Sequence, residues 1–123
     1  MPLGIHRATH CDLEAVVPLF DAYRQFYVQP SDLARARAFL QERLDHGESV
    51  ILLGRDGDRA VAFTQLYPMF SSVRTGRMWV LNDLYVHADA RRTGAGRALL
   101  DAAAAFARED GAVGIVLETT RDN

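Results

Sequence analysis

Apolar residues in the first third of the chain recur at helical spacing. Between residues 13 and 27 they return every three or four positions, which predicts a helix with one buried face. Thr9 and Asp12 precede it as a capping box, in which the Thr9 hydroxyl would accept a bond from a free N–H and Asp12 would face the positive end of the helix dipole. A second helix is predicted to end at Gly47. Its buried positions are Leu33, Ala36, Leu40 and Leu44.

Short apolar runs bounded by glycine, proline or polar residues predict the strands. They cover residues 5–8, 50–53, 61–67, 78–87 and 113–117. Asp56 and Gly57 predict a hairpin turn, because glycine accepts a positive φ. A third helix is predicted over residues 94–108. The order β-α-α-β-β-β-α-β predicts an α/β fold with a mixed, mostly antiparallel central sheet flanked by helices, its last strand parallel to a neighbour.

Composition narrows the class of protein. The 123 residues, 49% of them hydrophobic, predict one domain over residues 1–123. A net charge of −2 with scattered arginines argues against a nucleic-acid partner. No stretch approaches the roughly 18 apolar residues of a membrane helix. The single cysteine fits a reducing compartment, so we expect a cytoplasmic protein. The four histidines lack ligand spacing, so we expect no metal site.

Residues 81–100 carry the most informative pattern, since a strand leads through an arginine- and glycine-containing loop into a helix. A helix start presents unpaired N–H groups and a partial positive charge. Gly94 and Gly96 would let a phosphate reach this backbone without meeting a Cβ atom. Leu99 rules out the Rossmann fingerprint, and no Lys-Ser/Thr pair completes a P-loop. The alternative is a tight turn with solvated arginines, but the strand, the helix and Arg91 together favour a phosphate or pyrophosphate site.

The motif Arg91-x-x-Gly94-x-Gly96, preceded by Leu81-Asn82-Asp83-Leu84-Tyr85-Val86, resembles motif A of the GNAT acetyltransferase superfamily, and most closely its polyamine and histone-type branch. The resemblance implies an N-acetyltransferase that moves the acetyl group of acetyl-CoA to a primary amine by direct attack, without a metal. It also implies that the Leu84 N–H points at the thioester oxygen. The implied cofactor-binding residues are Leu84, Tyr85, Val86, Arg91, Arg92, Thr93, Gly94, Ala95, Gly96, Arg97, Ala98 and Asn123.

Asp83 is the first candidate for the general base, because a protonated amine must lose a proton before it attacks. A structural bond beside a strand bulge is the alternative for this carboxyl group. Glu118 is a second candidate near the acceptor, with a solvated strand end as its alternative. The first helix corresponds to one that lines the acceptor pocket in the family, and Tyr27 is the expected contact among its aromatic residues.

Members of the family usually continue with a helix whose tyrosine protonates the leaving thiolate, and with two more strands. We therefore expect that this C-terminal portion is lacking here. Further residues, or a second copy of the chain in a homodimer, would then cover the last strand, which is apolar on both faces. The alternative function is a catalytically inactive CoA- or nucleotide-binding regulatory module.

Overall fold

The computed structural model describes residues 3–118 and contains a five-stranded sheet whose strand order follows the chain. The strands are β1 Gly4–Arg7, β2 Val50–Asp56, β3 Arg59–Ser71, β4 Gly76–Val86 and β5 Gly114–Leu117. The helices are α1 Leu13–Phe26, α2 Leu33–Asp45 and α3 Ala95–Glu109. Neighbouring strands are antiparallel except for β4 and β5, which are parallel. The predicted class, element order and mixed sheet are confirmed.

The predicted capping box is present before α1. The Thr9 N–H donates to Asp12 Oδ2 at 2.9 Å, and the Thr9 hydroxyl accepts a bond from the Cys11 N–H at 3.3 Å. The box caps a short 3-10 turn, His10–Asp12, which leads directly into α1. The bond from Thr9 also holds the pKa of the Asp12 carboxyl below its ordinary value.

Two apolar cores lie on opposite faces of the sheet, because side chains alternate along each strand. On one face, Ile51, Leu53 and Phe63 lie beneath α1 and α2. On the other face, Leu66 and Leu81 lie beneath α3. Each fully buried side chain of this size contributes roughly 1.5–3 kcal/mol. The middle of β3 and β4 is therefore packed against helices on both faces.

Strand β3 is longer than predicted, since it continues through Pro68 to Ser71 instead of ending at residue 67. Its pairing with β2 stops at Leu66, so the far part of β3 pairs with β4 alone among the described residues. A proline is tolerated in such an edge position, because few ladder hydrogen bonds are lost there.

Candidate functional site

A β-bulge at Asn82 interrupts β4. Leu81 and Asp83 pair with two consecutive residues of β3, so Asn82 is an additional residue without a partner there. On the opposite edge, β5 pairs with β4 only as far as Leu81. Within the described part of the chain, residues 83–86 therefore have β3 on one edge and no strand on the other.

The bulge determines which backbone groups face this open edge. Before it, the Leu81 carbonyl accepts a bond from the Glu118 N–H at 3.0 Å, on the side of β5. Beyond it, the His87 N–H donates to a carbonyl of β3 at 2.7 Å. Because N–H directions alternate along a strand, those of Leu84 and Val86 point to the open edge. They are available to an extended ligand that adds itself to the sheet as a strand would.

A cleft of about 280 Å³ lies along this edge, and we call it the β4 cleft. It is lined by Tyr23, Phe26, Leu84, Tyr85, Val86 and Arg91. Arg91 Nε donates to the Val86 carbonyl at 2.9 Å, and its guanidinium carbon lies 5.6 Å from the centre of the Tyr85 ring. Tyr85 itself also packs against the α1–α2 core. Four of the predicted cofactor-binding residues thus meet in one cleft: Leu84, Tyr85, Val86 and Arg91.

The loop after β4 ends in a left-handed glycine. Gly94 has a φ of 87° and directly precedes α3, whose first intrahelical bond runs from the Ala98 N–H to the Gly94 carbonyl at 2.9 Å. The N–H groups of the three residues between them have no acceptor within the helix. A Cβ atom on Gly96 would lie 3.9 Å from the nearest atom, a methyl carbon of Val86, which is ordinary contact. Packing therefore does not require glycine at position 96, whereas close approach of a ligand to the backbone would.

The exposed charges around this helix start include the arginines Arg92 and Arg97 and the carboxylate of Asp89, which pairs with Arg59 at 3.0 Å. Arg92 is exposed, has a φ of 68°, and no carboxylate of residues 3–118 lies within ion-pair distance of it. Arg97 is also exposed and pairs loosely with Asp101 at 3.4 Å. The Thr93 hydroxyl donates to the Ala90 carbonyl, which closes the loop. Free N–H groups, the helix dipole and these cations together make a fitting place for a pyrophosphate.

Asp83 is nearly inaccessible, with 2% of its surface exposed. Gln65 Nε2 donates to its Oδ2 at 2.6 Å, and Asn82 Nδ2 donates to its Oδ1 at 2.8 Å. The Ser49 hydroxyl holds Gln65 in turn, through a bond of 2.8 Å to Oε1. Burial raises the pKa of the Asp83 carboxyl, while the bonds from Asn82, Gln65 and Tyr23 oppose that rise. A carboxylate whose pKa is raised toward neutrality is a better proton acceptor than an exposed one.

A second cavity of about 360 Å³ lies between α1, α2 and the sheet, and we call it the helix cavity. Its aromatic walls are Phe20, Tyr23, Phe39 and Tyr67. Its polar lining is Arg24, Arg35, Asn82 and Asp83. Tyr23 borders both this cavity and the β4 cleft, so the two spaces meet at one side chain.

Sequence reasoning missed Tyr23 as a lining residue. Its hydroxyl donates to the Asn82 carbonyl at 3.3 Å, and burial together with the nearby Asp83 raises the pKa of this phenol. Tyr27, for which a contact with the acceptor is predicted, is half-buried like Tyr23, and its ring centre lies 5.1 Å from that of Tyr23 and 5.2 Å from that of Phe26. The only sequence signal was a run of aromatic residues at helical spacing, and such a run is also typical of a core.

Two predicted residues lie at the end of the chain. Glu118 is exposed and directly follows β5. Asn123 lies outside the described residues. Within residues 3–118, no group of three His, Cys, Asp or Glu side chains is placed to hold a metal ion. No helix in the same range has the length and apolar character needed to cross a bilayer.

Known proteins share both the sequence and the shape of this chain. Residues 14–123 match the model of the acetyltransferase (GNAT) family. The chain is 47% identical over 121 residues to the uncharacterized N-acetyltransferase YhfO of Bacillus subtilis (strain 168), which covers 98% of this chain and 81% of that protein. The crystal structure of a probable acetyltransferase superposes with a TM-score of 0.92 at 43% identity, covering 98% of this chain and 81% of the other. For a ribosomal-protein-alanine N-acetyltransferase from Brucella melitensis biovar Abortus 2308 the TM-score is 0.85 at 25% identity, covering 98% and 82%.

Proposed function

Because the chain belongs to the GNAT acetyltransferase family, we propose that it transfers the acetyl group of acetyl-CoA to a primary amine by direct attack in a ternary complex. The observation that carries this proposal is the open edge of β4 beyond the Asn82 bulge, which leads to the start of α3. An extended thioester arm needs backbone partners along its length, and a pyrophosphate needs N–H donors at its end. Both sets of donors lie consecutively along the chain here.

Acetyl-CoA is a substrate of this reaction, and each of its parts has a complement in the protein. Its arm pairs with the N–H groups of Leu84 and Val86 in the β4 cleft. Its pyrophosphate lies at the start of α3, over residues 92–98, where the absence of a side chain at Gly96 leaves the backbone accessible. Arg92 adds a cation that no described carboxylate neutralises.

The amine acceptor enters the helix cavity and loses a proton to Asp83, directly or through a water molecule. Its nitrogen then attacks the thioester carbon, forming the C–N bond, and the C–S bond breaks as the CoA thiolate leaves. The nitrogen loses a second proton and the thiolate takes one up, so one proton is released overall. The Leu84 N–H donates to the thioester oxygen as negative charge develops there, a contribution of about 2.7–4 kcal/mol for a single donor of this kind.

Replacing Leu84 with proline tests this arrangement, because proline removes the N–H, and its fixed φ and the loss of the leucine side chain are checked by the controls. That N–H faces the open edge, so its loss costs no ladder bond to β3. Thiol release and the mass of the acetylated amine report the activity, and Leu84→Ala is the matched control that keeps the N–H. We expect the proline variant to lose about 10²–10³-fold in kcat relative to the alanine variant.

Equal rates for the two variants, with thermal unfolding showing that both are folded, would show that the Leu84 N–H takes no part in the reaction. CoA binding without acetylation of any amine would instead favour a regulatory CoA-binding module. Failure to bind CoA would refute the proposed function as a whole.

A further inference from the structure

We propose that the acceptor is an amine that also carries a carboxylate, and that Arg24 in the helix cavity binds this carboxylate. The inference rests on the proposed function and adds the chemical class of the second substrate. It rests on Arg24, a cation without a partner in residues 3–118, which lines the same cavity as the candidate proton acceptor Asp83.

Two arginines of the described chain have a buried side-chain nitrogen without a hydrogen-bond partner, Arg24 at Nη1 and Arg43 at Nε. Arg43 Nε still lies 3.0 Å from a carboxylate oxygen of Glu48, whereas Arg24 has no ion-pair partner in residues 3–118. By contrast, Arg37 pairs with Glu14 at 2.7 Å, and Arg59 pairs with Asp89 at 3.0 Å. Buried polar atoms without a partner are rare, because losing water without gaining a bond is costly. An anion bound in the helix cavity would satisfy this donor.

The cavity has two ends of different character. Arg24 comes from α1 and Arg35 from α2, so positive charge lines the helical wall. Asn82 and Asp83 lie on β4, next to the Leu84 N–H. No arginine of residues 3–118 forms an ion pair with Asp83, and the groups that lower the pKa of its carboxyl are the neutral Asn82, Gln65 and Tyr23. An acceptor with an ammonium group at β4 and an anionic group at the helices fits both ends.

The chemistry of the lining favours a carboxylate on an apolar frame. A guanidinium group is planar and binds a carboxylate through two parallel bonds. The aromatic walls Phe20, Phe39 and Tyr67 complement an apolar or aromatic side chain on the same acceptor. A polyamine would instead bring a second positive charge toward the arginines. The cavity therefore disfavours the acceptors of the polyamine branch that motif A resembles.

The test compares acetylation of phenylalanine, phenethylamine, phosphoethanolamine and spermidine by the full chain. We expect kcat/KM for phenylalanine to exceed that for phenethylamine by about 100-fold. Arg24→Gln should lower the value for phenylalanine by about 100-fold and change that for phenethylamine by less than about 3-fold. Arg37→Gln is the matched control, because Arg37 is exposed and its partner is Glu14. Arg24→Gln is expected to fold as stably as the parent, since it removes an unpaired buried donor.

Equal rates with phenylalanine and phenethylamine, unchanged in Arg24→Gln, would overturn the inference and leave the proposed acetyltransferase intact. A preference for phosphoethanolamine over phenylalanine would also overturn it and indicate a phosphate-bearing acceptor. If the chain binds CoA but acetylates none of the four amines, calorimetry measures whether N-acetylphenylalanine binds to the CoA complex. If it binds to the parent and not to Arg24→Gln, the carboxylate site is supported. If it does not bind to the parent, the carboxylate site is refuted.

Discussion

Replacing Gly96 with alanine should separate the stability of the protein from its affinity for CoA. The new methyl group would lie 3.9 Å from its nearest neighbour, on Val86, and the backbone at position 96 is helical without a positive φ. Alanine is favoured over glycine in a helix by up to about 1 kcal/mol. We therefore expect the free energy of unfolding to rise by up to that amount, and the melting temperature by about 4 °C.

Affinity for CoA should change in the opposite direction. A methyl group at position 96 stands where the proposed pyrophosphate approaches the N–H groups of the first turn of α3. Each hydrogen bond to a charged group contributes about 1.5–3 kcal/mol. The loss of two such bonds weakens binding by about 100-fold or more. Gly96→Val, which is bulkier, should weaken it further.

Gly94 and Gly111 provide a matched pair for the neighbouring position. Both have a positive φ, 87° and 77°, and a Cβ atom on either would find open space. Alanine at either position should cost about 1–2 kcal/mol in backbone strain. Gly111 follows the C-terminal end of α3, so only the Gly94 variant should also bind CoA more weakly.

Isothermal calorimetry with CoA at one fixed salt concentration, together with thermal denaturation, checks all four variants. If Gly96→Ala and Gly94→Ala both bind CoA as tightly as the parent while showing the expected stability changes, the pyrophosphate does not bind at the start of α3. The glycines would then serve only the strand-to-helix turn.

Three further predictions concern Asp83 and the core. Asp83→Asn should lower kcat at neutral pH by about 10²–10⁴-fold, and by less at high pH, where the amine is already deprotonated; an unchanged pH–rate profile would exclude Asp83 as the base. Burial raises the pKa of Asp83 above its ordinary 3.8, so the folded state keeps a proton that the unfolded state releases. The free energy of unfolding of the parent, relative to that of Asp83→Asn, should therefore fall as the pH rises above about 3.8. The fall is at most about 1.4 kcal/mol per pH unit and ends once the pH exceeds the raised pKa of Asp83. Urea titrations across that range test this, and a constant difference would contradict it. Phe63→Ala should cost about 3–5 kcal/mol in urea denaturation, because Phe63 is fully buried between α1 and the sheet; a loss below about 1 kcal/mol would contradict that packing.

The element order and the glycine loop were predictable because their signals are local. Helical and strand periodicity, the Thr9 capping box and the turn at Gly57 each depend on a few consecutive residues. The extension of β3 through Pro68 was not predictable, since it depends on where β2 stops pairing. A proline disrupts a strand where a neighbouring strand would accept a hydrogen bond from the N–H that proline lacks. The local sequence does not show whether such a neighbouring strand is present.

The helix cavity was not predictable for a related reason. Tyr23 and Arg24 lie on α1 at spacings that are equally typical of core packing and of a solvated helix end. Whether they line a cavity depends on the distance that α2 keeps from β4, which no periodicity reports. Only the placement of both helices shows that Arg24 Nη1 is buried without a partner among the described residues.

The bulge at Asn82 links the two halves of the proposed chemistry. Leu81 packs on the α3 face of the sheet, and its carbonyl points away from β3. With regular alternation from Leu81, Asp83 would also point to the α3 face, and the N–H of Leu84 would point to β3. The additional residue instead places Asp83 in the helix cavity and turns the Leu84 N–H to the β4 cleft. The proposed proton acceptor and the proposed donor to the thioester oxygen therefore depend on the same local pairing, so a change that shifts the register at Asn82 is expected to remove both proposed functions together.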